Sequence, residues 1–319
     1  MNSNYSRRRL LGASAAALAF GPSALHAGES AATLADSAPQ PETIHGNAER
    51  DHRMTVSALI NDKGPFRFLV DTGADRSVLA ADVAQKLGLL GGEDVVVQGI
   101  SRSIPATTAL LHSLRVGTIE LSDIAVPVLS REWLGADGYL GLDVLDRRRV
   151  TFDFRYQTLT IDRSNQIHGF EISRDLIVRV QGSNGRLTAY DCRVDDVPAA
   201  AFIDSGAQVT IGNSLLFAEL AKGGATYVSD KIVPVTDVTG GTSPGRITSF
   251  STIKLGAISF LRANLLISDL EVFNVWGLAD RPALFIGMNF LGQTSAFSID
   301  FSRKELKFKL ADERVARST

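Results

Sequence analysis

The 319-residue chain uses one phrase twice, Phe68-Leu69-Val70-Asp71-Thr72-Gly73-Ala74 and Phe202-Ile203-Asp204-Ser205-Gly206-Ala207. Each copy sets a carboxylate at the end of an apolar strand and follows it with a hydroxyl. A glycine able to take the positive φ of a tight turn comes next, then an alanine small enough to let another backbone approach. A chain that repeats such a turn is expected to fold as two similar halves. If the halves face each other across a local two-fold axis, Asp71 and Asp204 meet in one site.

Two carboxylates at hydrogen-bonding distance cannot both ionise, so they share one proton at ordinary pH. The ionised member can deprotonate a water as it attacks a carbonyl, while the protonated member donates to the developing oxyanion. This chemistry needs no metal, thiol, serine nucleophile or cofactor. The hydroxyls of Thr72 and Ser205 each donate and accept, so each can bind the turn of the opposite half.

The segment Asp71-Thr72-Gly73-Ala74-Asp75-Arg76-Ser77-Val78-Leu79 resembles the active-site segment of retropepsin-like aspartic proteases, and the second copy resembles its duplicated partner. In that family two apolar residues and a glycine lie behind each turn. Here they are Tyr139-Leu140-Gly141 and Phe285-Ile286-Gly287, and the wider spacing in the second half predicts a modest loop insertion. The resemblance runs from about Arg53 to Leu310. It implies an all-β protein of two pseudo-symmetric lobes with a few short helices. The implied activity is aspartic endopeptidase, with Asp71 and Asp204 catalytic and Thr72, Gly73, Ala74, Ser205, Gly206 and Ala207 supporting them. Many retroviral members carry an arginine after the downstream glycine. Here Leu142 and Met288 stand there, so that ion-pair network is expected to be missing.

The repeat extends beyond the motifs. After each glycine comes a short amphipathic stretch, Leu142 to Arg147 and Met288 to Gln293. Two hairpins follow, Val150 to Phe154 with Thr158 to Ile161, and Phe297 to Phe301 with Leu306 to Leu310. Short helices are expected over Ala81 to Leu87, closed by Gly88, and over Ser214 to Ala221, capped by Asn213. The expected lobes are 51–165 and 170–312, each with its own core and joined by the polar run Ser164 to Gly169.

The N-terminus reads as an address. Ser6-Arg7-Arg8-Arg9-Leu10-Leu11-Gly12 before an Ala-rich apolar stretch resembles a twin-arginine export signal over 1–27, with a flexible leader over 28–50. Periplasmic export follows, with no stable membrane insertion after signal removal. A net charge of −2 gives no footprint for nucleic acid. The single Cys192 cannot form an internal disulfide and reads as a packed residue. The implied partner is an extended peptide or protein substrate, and the implied state is a monomer of two fused lobes.

Gly241-Thr242-Ser243-Pro244-Gly245 fits the letters of a serine-hydrolase elbow, but Pro244 lacks the N–H an oxyanion hole would need. The segment reads better as a hairpin tip. Val97-Gln98-Gly99-Ile100-Ser101 is its counterpart, and in the family such hairpins are flaps over the substrate. Val97, Gly99, Thr239 and Gly240 are therefore substrate-contact candidates. Trp133 and Trp276 precede their glycines at similar distances and suit core packing or a cleft wall. The loop from Ser268 to Arg281 is the expected place for substrate choice. Arg147-Arg148-Arg149 reads as a solvated turn before the strand at Val150. Two other functions stay open: a peptide-binding module without turnover, and a glycosidase with more widely spaced carboxylates.

Overall fold

The computed structural model describes residues 13–15, 43–45, 47–48, 53–89, 91–164, 176–182 and 187–310. These residues form an all-β protein of two lobes with short helices at a few turns. Both lobes are organised around the same crossing. In the first, the strand Lys63–Val70 delivers Asp71, and Gly138–Leu140 runs parallel to it with Leu140 opposite Val70. Val78–Ala80 pairs antiparallel on the far side of Gly138–Leu140 and parallel with Ile119–Leu129. In the second lobe Ala200–Ile203, Ala283–Ile286, Ile211–Gly212 and Ile258–Ile267 repeat these pairings, with Ile203 opposite Ile286. Parallel central strands are covered on both faces. Ala200–Ile203 and Ala283–Ile286 are accordingly buried at every position.

The helices sit where their end signals fall. Ala81–Leu87 stops at Gly88 in the left-handed conformation (φ 70). Ser214–Lys222 starts at Asn213, whose side chain accepts the Leu216 N–H at 2.9 Å. Leu142–Leu145 and Met288–Leu291 follow the two downstream glycines. A long hairpin rises from each lobe, Asp94–Gln98 with Ser103–Val116 and Val233–Asp237 with Thr242–Leu255.

The lobes are joined by a shared sheet in the order Leu176–Arg179, Glu305–Lys309, Ala296–Asp300, Arg148–Asp153, Thr158–Arg163, Thr43–His45. Phe152 of the first lobe stacks on Phe297 of the second, ring centroids 4.5 Å apart. The expectation of one core per lobe is therefore corrected. The larger apolar cluster runs through both lobes by way of this sheet, from Phe68 and Leu111 to Phe290 and Phe308. A second cluster lies under the second lobe's hairpin.

Two short pieces expected in a flexible leader form strands. Thr43–His45 pairs with the edge strand Thr158–Arg163, and Asn47–Ala48 pairs with Met54–Ile60. An open sheet edge offers unpaired N–H and C=O groups that such a piece can satisfy. Ala13–Ala15 pairs with Val233–Asp237. The rest of the expected signal and leader, and the joint after Ser164, lie outside the described residues.

Arg149 also departs from expectation. Arg147 is exposed, but the strand begins at Arg148, and Arg149 lies directly across from Asp300 of the other lobe. Its guanidinium donates to Asp300 Oδ2 (3.0 and 3.2 Å) and to the Ser164 carbonyl (3.2 Å). Both side chains are almost fully buried. A charge held this way is safe only while its partner remains. Arg149→Ala is expected to lower stability by about 3–5 kcal/mol, read as the urea midpoint, while Arg147→Ala leaves the midpoint unchanged. Equal, small effects would show that the pair contributes nothing to joining the lobes.

Candidate active site

Asp71 and Asp204 are both fully buried at the lobe interface. The backbone N–H of each is held by the strand behind it, Asp71 by the Leu140 carbonyl (3.0 Å) and Asp204 by the Ile286 carbonyl (3.1 Å). Each Oδ1 accepts two amides of its own turn. Asp71 takes Gly73 (2.8 Å) and Ala74 (3.1 Å), and Asp204 takes Gly206 (2.8 Å) and Ala207 (3.1 Å). Neither Oδ2 receives a hydrogen bond from a protein donor. In both residues one oxygen is anchored and the other is left for chemistry.

The two turns interlock through their hydroxyls. Ser205 Oγ accepts the Thr72 N–H (3.1 Å) and donates to the Val70 carbonyl (2.9 Å). Thr72 Oγ1 accepts the Ser205 N–H (3.0 Å) and donates to the Ile203 carbonyl (3.2 Å). This draws each glycine against the opposite carboxyl. A β-carbon on Gly73 would lie 2.8 Å from Asp204 Cγ, and one on Gly206 would lie 2.5 Å from Asp71 Cγ. No other residue type fits either position without displacing a carboxyl.

Behind the turns the two halves match group for group, with one change of charge. Gly141 donates to Ser77 Oγ (3.1 Å) and Gly287 to Thr210 Oγ1 (3.0 Å). A β-carbon on either glycine would collide with the turn backbone, 2.4 Å from Arg76 C and 2.6 Å from the Val209 carbonyl oxygen. Ser77 Oγ then donates to Asp143 (2.7 Å), whereas Thr210 Oγ1 donates to the neutral Asn289 (2.8 Å). The Asp143/Asn289 pair stands two residues past each glycine, a place in the repeat that the sequence shows but whose contact it does not. Arg53 was missed, although the repeat marks it in the sequence, with Arg53 before Met54-Thr55 and Arg186 before Leu187-Thr188. Arg53 is buried, hydrogen-bonds Tyr139, and its charge acts on Asp204. A buried cation thus reaches the site from a different position than the one Leu142 and Met288 leave vacant.

Burial is the main force raising both carboxyls above their ordinary value. For Asp71 the neighbouring Asp204 charge adds to it, and the Gly73 amide opposes it. For Asp204 the turn amides, the neighbouring Asp71 side chain and the Arg53 charge all pull the other way. The two groups titrate as one unit. Burial likewise raises Asp143 against the bonds from Ser77, and it raises the Tyr139 hydroxyl, which donates to the Leu134 carbonyl (2.9 Å). The buried Cys192 thiol is pushed up to about 12 by burial and by the Asp191 charge, which leaves no thiolate near neutrality.

A family model described as "Aspartyl protease" matches residues 56–144. The match spans Asp71, its hydroxyl and glycine, and the supporting Gly141, and it ends before the second copy. The all-β, two-lobed architecture agrees with an aspartic protease. The UBA domain-containing protein Mud1 of Schizosaccharomyces pombe is 30% identical over 105 residues, covering 32% of this chain and 30% of that protein. The chain therefore matches about a third of that relative's length.

The remaining candidates lie at the hairpin tips. Val97 and Thr239 are buried. Gly99 packs on Asp237 and Thr239, and Gly240 packs on Trp133, so the tips touch across the interface. Trp276 stands in an aromatic group, 4.1 Å from Phe202 between ring centroids. The loop from Ser268 to Arg281 contains a short helix, Glu271–Val275, and turns Leu270, Val272, Phe273 and Leu278 inward. Gly241 to Gly245 continues from the tip into a strand.

The raised carboxyls make stability fall with pH. Unfolded aspartates release their protons around 3.8, whereas the native pair retains one to higher pH. The native state therefore binds more protons across that window, and its stability declines as pH rises through it, by up to about 1.4 kcal/mol per pH unit for one proton. Asp71→Asn removes one buried carboxyl. Its melting temperature relative to the parent should climb between pH 4 and pH 8. A flat or shrinking difference would mean that the pair is not strained by ionisation.

Proposed function

We propose that this chain is an aspartic endopeptidase in which the Asp71/Asp204 pair activates a water to cleave a peptide bond in an extended substrate. The observation that carries the reading is the matched pair of buried carboxyls, each with Oδ1 held by turn amides and Oδ2 unengaged, on turns that lock across the lobe interface. A binding groove gains nothing from two carboxylates that must share a proton. A water between the Oδ2 atoms loses its proton to the ionised member as its oxygen attacks the carbonyl carbon. The other member gives its proton to the carbonyl oxygen, forming a neutral tetrahedral diol. Collapse of the diol breaks the C–N bond as the amine nitrogen takes a proton, and the pair returns to its single-proton state. The water-excluding surroundings strengthen each of these interactions.

The substrate class is a polypeptide in extended form, because a strand-like segment is what fits beneath paired hairpins. The proposed place of work is a bacterial periplasm, a reading supported by the twin-arginine-like segment Ser6-Arg7-Arg8-Arg9-Leu10-Leu11-Gly12, and the proposed state is a monomer with the two lobes fused. The second reading is a peptide-binding module that uses the same groove without turnover.

Incubation of the purified chain with denatured proteins and a peptide library from acidic to neutral pH tests this directly. Asp71→Asn and Asp204→Asn should each remain folded and lose cleavage by roughly 10²–10⁴-fold. Full activity in either variant would end the dyad proposal. Peptide binding without cleavage by the parent chain would favour the second reading.

A further inference from the structure

The two hairpin tips are not equivalent. The second, Val238 to Gly241, is braced from within by Asp237, which is 1% exposed. Asp237 Oδ1 accepts the Thr239 N–H (2.8 Å), the Thr239 hydroxyl and the Gly241 N–H (3.0 Å). Its backbone closes the same turn with Gly241 and Gly240, at 3.0 Å each. The N–H groups of Thr239, Gly240 and Gly241 are thus all taken within this tip, without help from the first lobe.

The first tip depends on the second lobe. The Ser101 N–H donates to Asp237 Oδ2 (2.8 Å), the Arg102 guanidinium donates to the Thr239 carbonyl (2.8 Å), and the Ile100 carbonyl accepts the Val272 N–H (3.2 Å). Within its own hairpin it retains the Gly99 N–H to Arg102 carbonyl bond and the Gln98 contacts. Ile100 is fully buried in an apolar cluster whose other members, among them Val235, Leu266, Val272 and Phe273, all belong to the second lobe. The fit is close, since a β-carbon on Gly99 would lie 2.5 Å from Asp237 Oδ2. With both tips in place the two active-site carboxyls have no exposure.

We propose that Asp237 and Arg102 form a latch that holds the two hairpins shut, and that the first hairpin alone is the door through which an extended peptide reaches the carboxyl pair. The second hairpin keeps its shape when the contact breaks, because Asp237 Oδ1 still closes its turn. The first loses three bonds and the Ile100 seat together and is free to swing. The admitted substrate is therefore a single extended segment with unfolded chain on either side, and a folded domain is refused. This deepens the proposed peptidase function and rests on it.

Ser101→Cys with Gly241→Cys tests the door. A β-carbon at Gly241 would lie 3.1 Å from Ser101 Cβ, close to the ~3.8 Å of a disulfide, and Cys192, the remaining cysteine, is buried. The oxidised protein should cleave peptides at least 100-fold more slowly than the same protein after reduction. Equal rates with the disulfide formed would overturn the latch, while inactivity of the parent chain would instead count against the peptidase reading. Hydrogen exchange of the parent chain decides the matter independently of activity or disulfide formation. The 97–102 amides should exchange at least tenfold faster than the 238–241 amides, and Asp237→Asn should speed the first group further. Exchange of both tips together, or of the second tip first, would overturn the proposal.

Discussion

Two hydroxyls carry the arrangement on which everything else depends. Thr72 and Ser205 each accept the other's backbone N–H and each donate to a carbonyl in the opposite lobe. These bonds are buried, so no water can substitute for a missing partner, and removing either hydroxyl would strand an N–H and a carbonyl. The interlock brings Gly73 and Gly206 against the facing carboxyls and so decides how near Asp71 and Asp204 lie. The parallel strands, the glycines behind the turns and the shared sheet serve to hold two loops in position for that exchange.

Among the described residues, the two-fold likeness is broken in charge behind the active-site turns and at the hairpin tips. Asp143 supports the first turn where the neutral Asn289 supports the second. The Arg53 charge acts on Asp204. Asp237 closes its own hairpin tip and also takes the Ser101 N–H of the other. The two active-site carboxyls thus sit in similar shapes but different fields, which is a physical basis for unequal sharing of one proton. A homodimer of identical halves could not be biased in this way by its own sequence.

Much of this was legible in the sequence, and the reason is local. Asp-Thr-Gly-Ala and Asp-Ser-Gly-Ala specify their own turns, Gly88 and Asn213 end and begin their helices, and the hairpins announce themselves by alternation and polar turns. Partners distant in sequence were less visible. Arg149 looked like part of a solvated basic run because Asp300, the residue that buries it, lies in the other lobe. That the larger core runs on through both lobes could not be inferred from composition, since apolar content says nothing about which strands pair across lobes. Asp237 had a usable signal. An aspartate before Val-Thr-Gly-Gly closes such turns with its own side chain, but nothing local tells that its second oxygen reaches Ser101.

The central claim is that two buried carboxyls, one from each lobe, share a proton. Carbon NMR of the chain labelled at aspartate Cγ, followed over pH with Asp71→Asn and Asp204→Asn to assign the signals, measures this most directly. The account predicts two coupled signals, with one proton retained well above the ordinary aspartate range and each variant changing the titration of the remaining carboxyl. Two independent titrations near the ordinary value, unaffected by loss of the other residue, would contradict it.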